Sequence, residues 1–387
     1  MEVYLDNCAT TRPRKEVVEE MNYMLYEVYG NPSSLHRKGF EAEKKVKNAR
    51  NVISTFLGVR DNEIYFTSSG TESNNIAIQG IVGKLSKRGN HIITTKIEHP
   101  SVSNIFKCYE TNGYDVTYLD VDEWGYIDLN QLEESLSNRT ILVAVMLVNN
   151  EVGTIQFINK IREIISKKNK ITKLHVDGVQ AFGKISLDLK SIQCDTFSFS
   201  GHKIHGPKGI GGLYVKKGLI LTPIVFGGNQ EFGLRSGTEN TPGIIGFGKA
   251  VEIISNNYRQ ENKNILELKN YFTSRLKNEI DDIKINSHLD NKSVPHILNV
   301  SFFNIKGEVL LHYLEEHGIY VSTGSACSSN NKSKGKSKTL EAIGLLDNEI
   351  EGAIRFSFSF SNTKEQIDYT IDKLKISVNE IRKITMR

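Results

Sequence analysis

Between residue 34 and about residue 215 the chain alternates two hydrophobic periods, and this alternation narrows the fold more than any other feature. Ala42, Val46, Ala49, Ile53 and Phe56 follow one another at steps of four and three, the single apolar stripe of a helix. Short strand-like runs come after it: IYFTS at 64–68, HIITT at 91–95, DVTYL at 115–119, ILVAVMLV at 141–148, KLHVD at 173–177 and DTFSFS at 195–200. Helical patterns between several of them predict an α/β fold with a mainly parallel sheet covered by helices. Two helix starts are marked. Ser69-Gly-Thr-Glu72 fits a capping box, and Pro100 suits the first turn of a helix with Val102, Ile105, Phe106 and Tyr109 on its apolar face. After about residue 255 the pattern changes to a long helix over 261–281, a strand HILNVSFF, a helix EVLLHYLEEHG, a strand AIRFSFSF and a last helix over 364–385. That order reads as a smaller α+β domain.

A length of 387 residues suits two domains. The net charge of +4 is too small over this length to argue for a nucleic-acid or membrane surface by itself. No apolar run approaches the ~20 residues of a membrane span. The N-terminus, MEVYLDNCATTRPRKE, has neither an apolar signal core nor an Arg-rich transit pattern, which predicts a cytosolic protein. Cys8, Cys108, Cys194 and Cys327 form no C-x-x-C pair, so neither a disulfide framework nor a cysteine-built metal site is expected.

The chemistry concentrates in a few segments. In SFSGHKIHGPKGIGG, residues 198–212, a strand ends in Gly201-His202-Lys203. Lys203 is either a solvated turn lysine or an amine held against a ligand and partly desolvated, the setting of a Schiff-base lysine. Asp177 closes the KLHVD strand, where parallel sheets gather their ligands. It is either a turn former before Gly178 or the partner of a cation such as a protonated pyridine nitrogen. SSGTESNN, residues 68–75, is an ordinary helix cap or a phosphate cradle of free N–H groups. His99 is structural or stacks on an aromatic cofactor. Cys327 sits in a small, polar stretch followed by Lys332, Lys334, Lys336 and Lys338, a setting that suits an accessible, reactive thiol. The other three cysteines read as packing residues. Arg355 faces away from the alternating Ile354, Phe356, Phe358 and Phe360, either to the surface or into a cleft as a carboxylate fork.

Taken in order, YLDNCATT, YGNPSSLH, FTSSGTESNN, EHPSV, VNNEVGTIQ, HVDGVQAFGK, FSGHKIHGPKGIG, RSGTEN, STGSAC and IRFSFS resemble the cysteine desulfurases. These are pyridoxal-phosphate (PLP) enzymes in the NifS/IscS-like branch of the class V aminotransferase-like group. The resemblance implies a PLP-dependent transferase of fold type I. Its large domain would span 15–255 with a seven-stranded, mainly parallel sheet, and residues 1–14 and 256–387 would form the smaller domain carrying a mobile cysteine loop at about 322–338. It implies that Lys203 bears the cofactor, Asp177 meets the pyridine nitrogen, Gln180 bonds the ring hydroxyl and His99 stacks on the ring. Gly70, Thr71, Ser200 and His202 would hold the phosphate, and Thr238 would reach the phosphate of a second subunit in a homodimer. Asn150 would touch the cofactor and, with Arg355, the substrate carboxylate. Cys327 would take sulfur from L-cysteine as a persulfide, leaving alanine, and pass it to an iron–sulfur scaffold or a tRNA-thiolation enzyme. With the scaffold, Cys327 would also ligate iron–sulfur species transiently. Two features depart from the family. Cys8 stands where a non-cysteine residue is usual, and the lysines after Cys327 read as a docking feature or as a solvated face.

Other readings fit parts of the chain. Aminotransferases and selenocysteine lyases share the Lys203 and Asp177 arrangement but lack the reason for STGSAC. A metal-dependent hydrolase would use His175, Asp177, His99 and His202, without ligand spacing elsewhere. A silent binding protein leaves Lys203, Asp177, His99, Cys327 and Arg355 unexplained.

Overall fold

The computed structural model describes residues 1–324 and 336–385. Cys327, Lys332, Lys334 and most of the expected cysteine loop lie outside the described residues. The strands are β1 (Val3–Tyr4), β2 (Ile64–Thr67), β3 (His91–Thr95), β4 (Asp115–Leu119), β5 (Thr140–Met146), β6 (Lys173–Asp177), β7 (Thr196–Ser200), β8 (Gly211–Val215), β9 (Ile283–Ile285), β10 (Ile297–Phe302), β11 (Ile319–Tyr320), β12 (Ser322–Thr323) and β13 (Ala353–Ser357). The longer helices begin with α1 (Lys15–Tyr26), α2 (Arg37–Leu57), α3 (Gly70–Leu85) and α4 (Pro100–Thr111). They continue with α5 (Leu129–Ser135), α6 (Ile158–Lys168), the short α7 (Leu189–Ile192), α8 (Thr241–Glu279) and α9 (Gly307–Glu316), and a C-terminal helix covers Lys364–Thr385.

Seven strands form one sheet in the order β2-β8-β7-β6-β5-β3-β4. Only β8 runs against the rest. Every residue of β5 is buried, as it must be in the middle of a parallel sheet covered on both faces. The α2 stripe behaves as its spacing predicts: Ala42, Val46, Ala49 and Ile53 are buried in the main core. The smaller sheet, β12-β13-β10-β9, is antiparallel, and β1 pairs in parallel with β11. A separate cluster built on Phe272, Val300, Phe302, Phe356 and Phe358 lies beneath it.

Three details differ from the sequence reading. The strand β8 is hidden by its glycines, yet Gly212 is there because a Cβ would lie 2.3 Å from the Phe199 ring on the neighbouring strand. The helix expected over 261–281 begins at Thr241, capped by Asn240 Oδ1 accepting from Gly243 N at 3.1 Å. Its glycine-rich first turns masked the period, and Gly248 is needed where a Cβ would stand 2.8 Å from the Ala49 side chain of α2. Cys8 and Cys194 are buried as expected, but Cys108 is exposed, because it lies off the buried Val102–Ile105–Phe106 face of α4.

Candidate active site

Parallel strands carry the site by register. Met146 on β5, Asp177 on β6 and Ser198 on β7 stand side by side near the carboxyl ends. The turn after β7, Gly201–Lys203, brings Lys203 beneath the same opening. Lys203 Nζ donates to the backbone carbonyl of Cys8 and, at 2.8 Å, to that of Ala9. Gln180 Nε2 donates to the same Cys8 oxygen at 3.1 Å, so the N-terminal segment ties Lys203 to Gln180. Cys8 therefore contributes its carbonyl. Its thiol is fully buried, and burial pushes it above its ordinary range despite nearby Arg355 and Lys203, which makes it a poor nucleophile.

Asp177 is buried, and each of its oxygens already has one donor: Val179 N at 3.0 Å on Oδ1 and Asn74 Nδ2 at 2.8 Å on Oδ2. Asn74 lies in the first turns of α3, on its buried face with Ser73, Ala77, Ile78 and Ile81. Its Oδ1 faces His175 Nε2 at 3.0 Å, and His175 Nδ1 meets Thr196 Oγ1 at 2.9 Å. Burial holds His175 at about 4, so the ring is neutral and donates from Nε2. Asn74 Nδ2 also donates to Ser101 Oγ at 2.9 Å. That hydroxyl lies 2.8 Å from His99 Nδ1, which accepts from Ser101 N at 3.1 Å and caps α4. The His99 proton therefore sits on Nε2. Burial lowers this ring too, with the charge of Asp177 opposing and that of Lys203 assisting.

The α3 N-terminus opens on the same end. Ser69 Oγ accepts from Glu72 N at 3.1 Å, and the Glu72 carboxylate turns back onto Ser68 N, one residue earlier than a standard capping box. Gly70 and Thr71 follow, with Thr71 exposed. Ser200 is buried at the end of β7. His202, next to Lys203, has its Nδ1 3.3 Å from Thr10 Oγ1 and is held at about 4, mainly by burial. Thr238 stands apart, exposed on the wall of a cavity of about 240 Å³ that also includes Ser68 and Gly209. Arg355 is buried. It donates from Nη1 to the Asn150 carbonyl at 2.9 Å and pairs through Nη2 with Asp6 Oδ1 at 2.9 Å, and its Nε has no partner among the described residues. Its burial removes the surface alternative that the strand pattern left open.

Sequence reasoning passed over Asn74, Ser101, Asp6 and Glu98. Asn74 had a signal, a polar residue inside a helix too apolar to be solvated. Glu98 had none. Its Oε1 accepts from Thr95 Oγ1 at 2.9 Å and Met146 N at 2.8 Å, Oε2 is buried without a partner among the described residues, and burial lifts the carboxyl to about 8. Among the described residues no three His, Cys, Asp or Glu side chains converge as a metal site, and both ring nitrogens of His175 are already engaged.

The donor set fits PLP. A buried carboxylate with spare lone pairs suits a ring N–H, a lysine ammonium stands nearby, and a helix N-terminus beside a serine and a histidine suits a phosphate. Ser198 Oγ, between Thr196 and Ser200 on the same face of β7, is buried without a partner among the described residues, as a site shaped for a polar ligand leaves it.

Set beside known proteins, residues 3–370 match the family model described as aminotransferase class-V. The chain is 41% identical over 385 residues to the cysteine desulfurase IscS of Clostridium botulinum, covering 99% of this chain and 96% of the relative. It is 42% identical over 384 residues to a cysteine desulfurase of Nostoc, covering 99% and 94%. A solved NifS-like protein superposes with a TM-score of 0.93 at 41% identity, covering 98% of this chain and all of the other. The chain belongs to the aminotransferase class-V family, within the NifS/IscS-like branch of cysteine desulfurases.

Proposed function

We propose that the protein uses PLP to remove sulfur from L-cysteine, giving L-alanine and a persulfide on Cys327. The observation that carries this reading is the placement of Lys203 and Asp177 at adjacent strand ends, with His99 tied to Asp177 through Asn74 and Ser101. Lys203 bears the cofactor, Asp177 and Gln180 hold its ring polar groups, and His99 covers the ring. Gly70, Thr71, Ser200 and His202 hold its phosphate, and Asn150 lies at its edge. When bound, PLP supplies an electron sink for the pair left on the substrate Cα.

The protein residues do the rest. Lys203 Nζ, as a free amine, would take the Cα proton. Arg355, with Asn150, receives the substrate carboxylate as a fork of N–H donors. Cys327 Sγ, as thiolate, would attack the substrate sulfur; the S–S bond forms as the Cβ–S bond breaks and its pair stays with carbon, Cβ takes one proton, and Lys203 returns the other to Cα to give alanine. The small domain, residues 1–14 and 256–387, brings the cysteine segment to this opening. His99, its ring pushed toward the neutral form by burial, does not compete with the pyridine nitrogen for the charge of Asp177.

The protein works as a homodimer in the cytosol, with Thr238 reaching the cofactor phosphate of the second subunit. Exposed Tyr26, Tyr29, Leu35, Phe40, Phe226 and Phe232 supply apolar surface for that association. The persulfide goes to acceptors for iron–sulfur cluster assembly or tRNA thiolation, with Cys327 ligating iron–sulfur species transiently at the scaffold. Among the described residues no helix is long and apolar enough to cross a membrane. The test is peptide mass analysis of PLP-loaded protein after L-cysteine: one added sulfur on the Cys327 peptide supports the reading, and added sulfur only on the exposed Cys108, or nowhere, overturns it.

A further inference from the structure

A second cavity, of about 430 Å³, opens at the opposite end of the main sheet. Lys173 begins β6 there, roughly 13 Å along the strand from Asp177 at the other end. Four separate elements converge on it: Lys84 from the last turn of α3, Arg162 from α6, Lys173 from β6, and Lys216 with Lys217 just past β8. One carboxylate, Asp195, shares the wall. It is buried and already committed, accepting from Arg162 Nη1 at 3.0 Å and Leu174 N at 2.8 Å. Glu63 is also close, but it accepts from the Lys217 backbone N–H rather than meeting the ammonium.

The four lysines pair with no carboxylate among the described residues. Elsewhere exposed lysines do find partners, as in Lys96–Asp120, Lys167–Glu163, Lys168–Glu133 and Lys284–Glu349. Five cations line the cavity against Asp195 and the nearby Glu63, a local excess of three beside the +4 of the whole chain. The C-terminal dipole of α3 accounts for Lys84, but the strand-end lysines have no such compensation. Lys84, Lys216 and Lys217 are exposed, so solvent screens part of their mutual repulsion, and a bound anion would relieve what remains. The cavity is larger than one phosphate group and lies in the range of small-molecule sites. Leu219 and Ile220 add an apolar wall, Ile220 being 64% exposed.

We propose that this cavity binds a small polyphosphate anion carrying an aromatic or apolar part, the chemistry of a nucleoside triphosphate. ATP is the probe, titrated calorimetrically into PLP-loaded protein at physiological ionic strength, so that the cofactor's own phosphate cradle is filled and surface attraction is screened. The expected result is saturable binding, one ATP per chain, weakened at least tenfold in the double variant Lys173→Ala with Lys217→Ala while PLP content and melting temperature hold. Four results would overturn it. ATP binding is unsaturable into the millimolar range or equal in the variant, inorganic pyrophosphate binds as tightly as ATP, or a single-stranded RNA oligomer binds through these lysines while ATP does not.

Discussion

Asn74 Nδ2 donates to Asp177 Oδ2 at 2.8 Å while Asn74 Oδ1 takes the His175 proton at 3.0 Å, so one amide on α3 fixes a carboxylate on β6 and a neutral histidine two residues before it. The amide cannot turn over without setting acceptor against acceptor at Asp177, and with the amide so held the neutral His175 ring presents its N–H to Asn74 Oδ1. Its orientation, and with it the free lone pair of Asp177, is determined by this network.

Replacing Asn74 by Ala leaves the His175 N–H and one Asp177 lone pair buried and unmatched, at a cost of about 2 to 3 kcal/mol in stability. The predicted PLP affinity falls about tenfold, read by absorbance titration of the cofactor-free protein. Asn74→Asp is worse, since it sets a second carboxylate against Asp177. An Asn74→Ala protein with unchanged affinity would show that the amide positions nothing.

Lys203→Ala removes the amine that donates to the Cys8 and Ala9 carbonyls. Borohydride should fix PLP to the Lys203 peptide of the wild type and to no peptide of the variant, and alanine formation should drop by at least a thousandfold. Trapping on Lys184 or Lys208 instead would reassign the cofactor lysine.

Arg355 is buried, with Asp6 as its anionic partner at 2.9 Å. Arg355→Lys loses the planar fork and is expected to raise KM for L-cysteine by on the order of a hundredfold with a smaller change in kcat. Asp6→Asn removes the competing carboxylate and lowers KM. Steady-state kinetics on both variants checks this, and an unchanged KM in Arg355→Lys removes the arginine from substrate binding.

Two sets of buried groups give stability opposite pH slopes. His175 and His202, held at about 4 by burial, are neutral in the fold but bind protons when unfolded near 6.5. Their contribution is full above about pH 6.5 and is lost as pH falls through 4. Glu98, lifted to about 8, keeps its proton in the fold, so its contribution is full below about 4.5 and is lost as pH rises through 8. Melting curves of wild type against Glu98→Gln should separate progressively from about pH 4.5 to about pH 8, with the variant gaining stability relative to the wild type as pH rises. Parallel curves from pH 5 to 9 would mean that Glu98 is not protonated in the fold.

The parallel sheet was legible because its strands are apolar runs of the right length: HIITT, DVTYL and KLHVD occupy the strands that their spelling marks. Lys203 and Asp177 were legible as strand-end residues beside glycines. The strand β8 and the start of α8 were not, because there glycine serves close approach to Phe199 and Ala49, a property of neighbours that no local period records. Asn74, Glu98 and Asp6 were missed for a related reason. Their meaning comes from partners 103, 48 and 349 residues away.

The most direct measurement is alanine formed from L-cysteine by PLP-loaded protein with a thiol reductant present, wild type against Cys327→Ala. The account predicts steady alanine from the wild type and almost none from the variant, with PLP content equal in both. Alanine at the same rate from Cys327→Ala, or none from the loaded wild type, would contradict it.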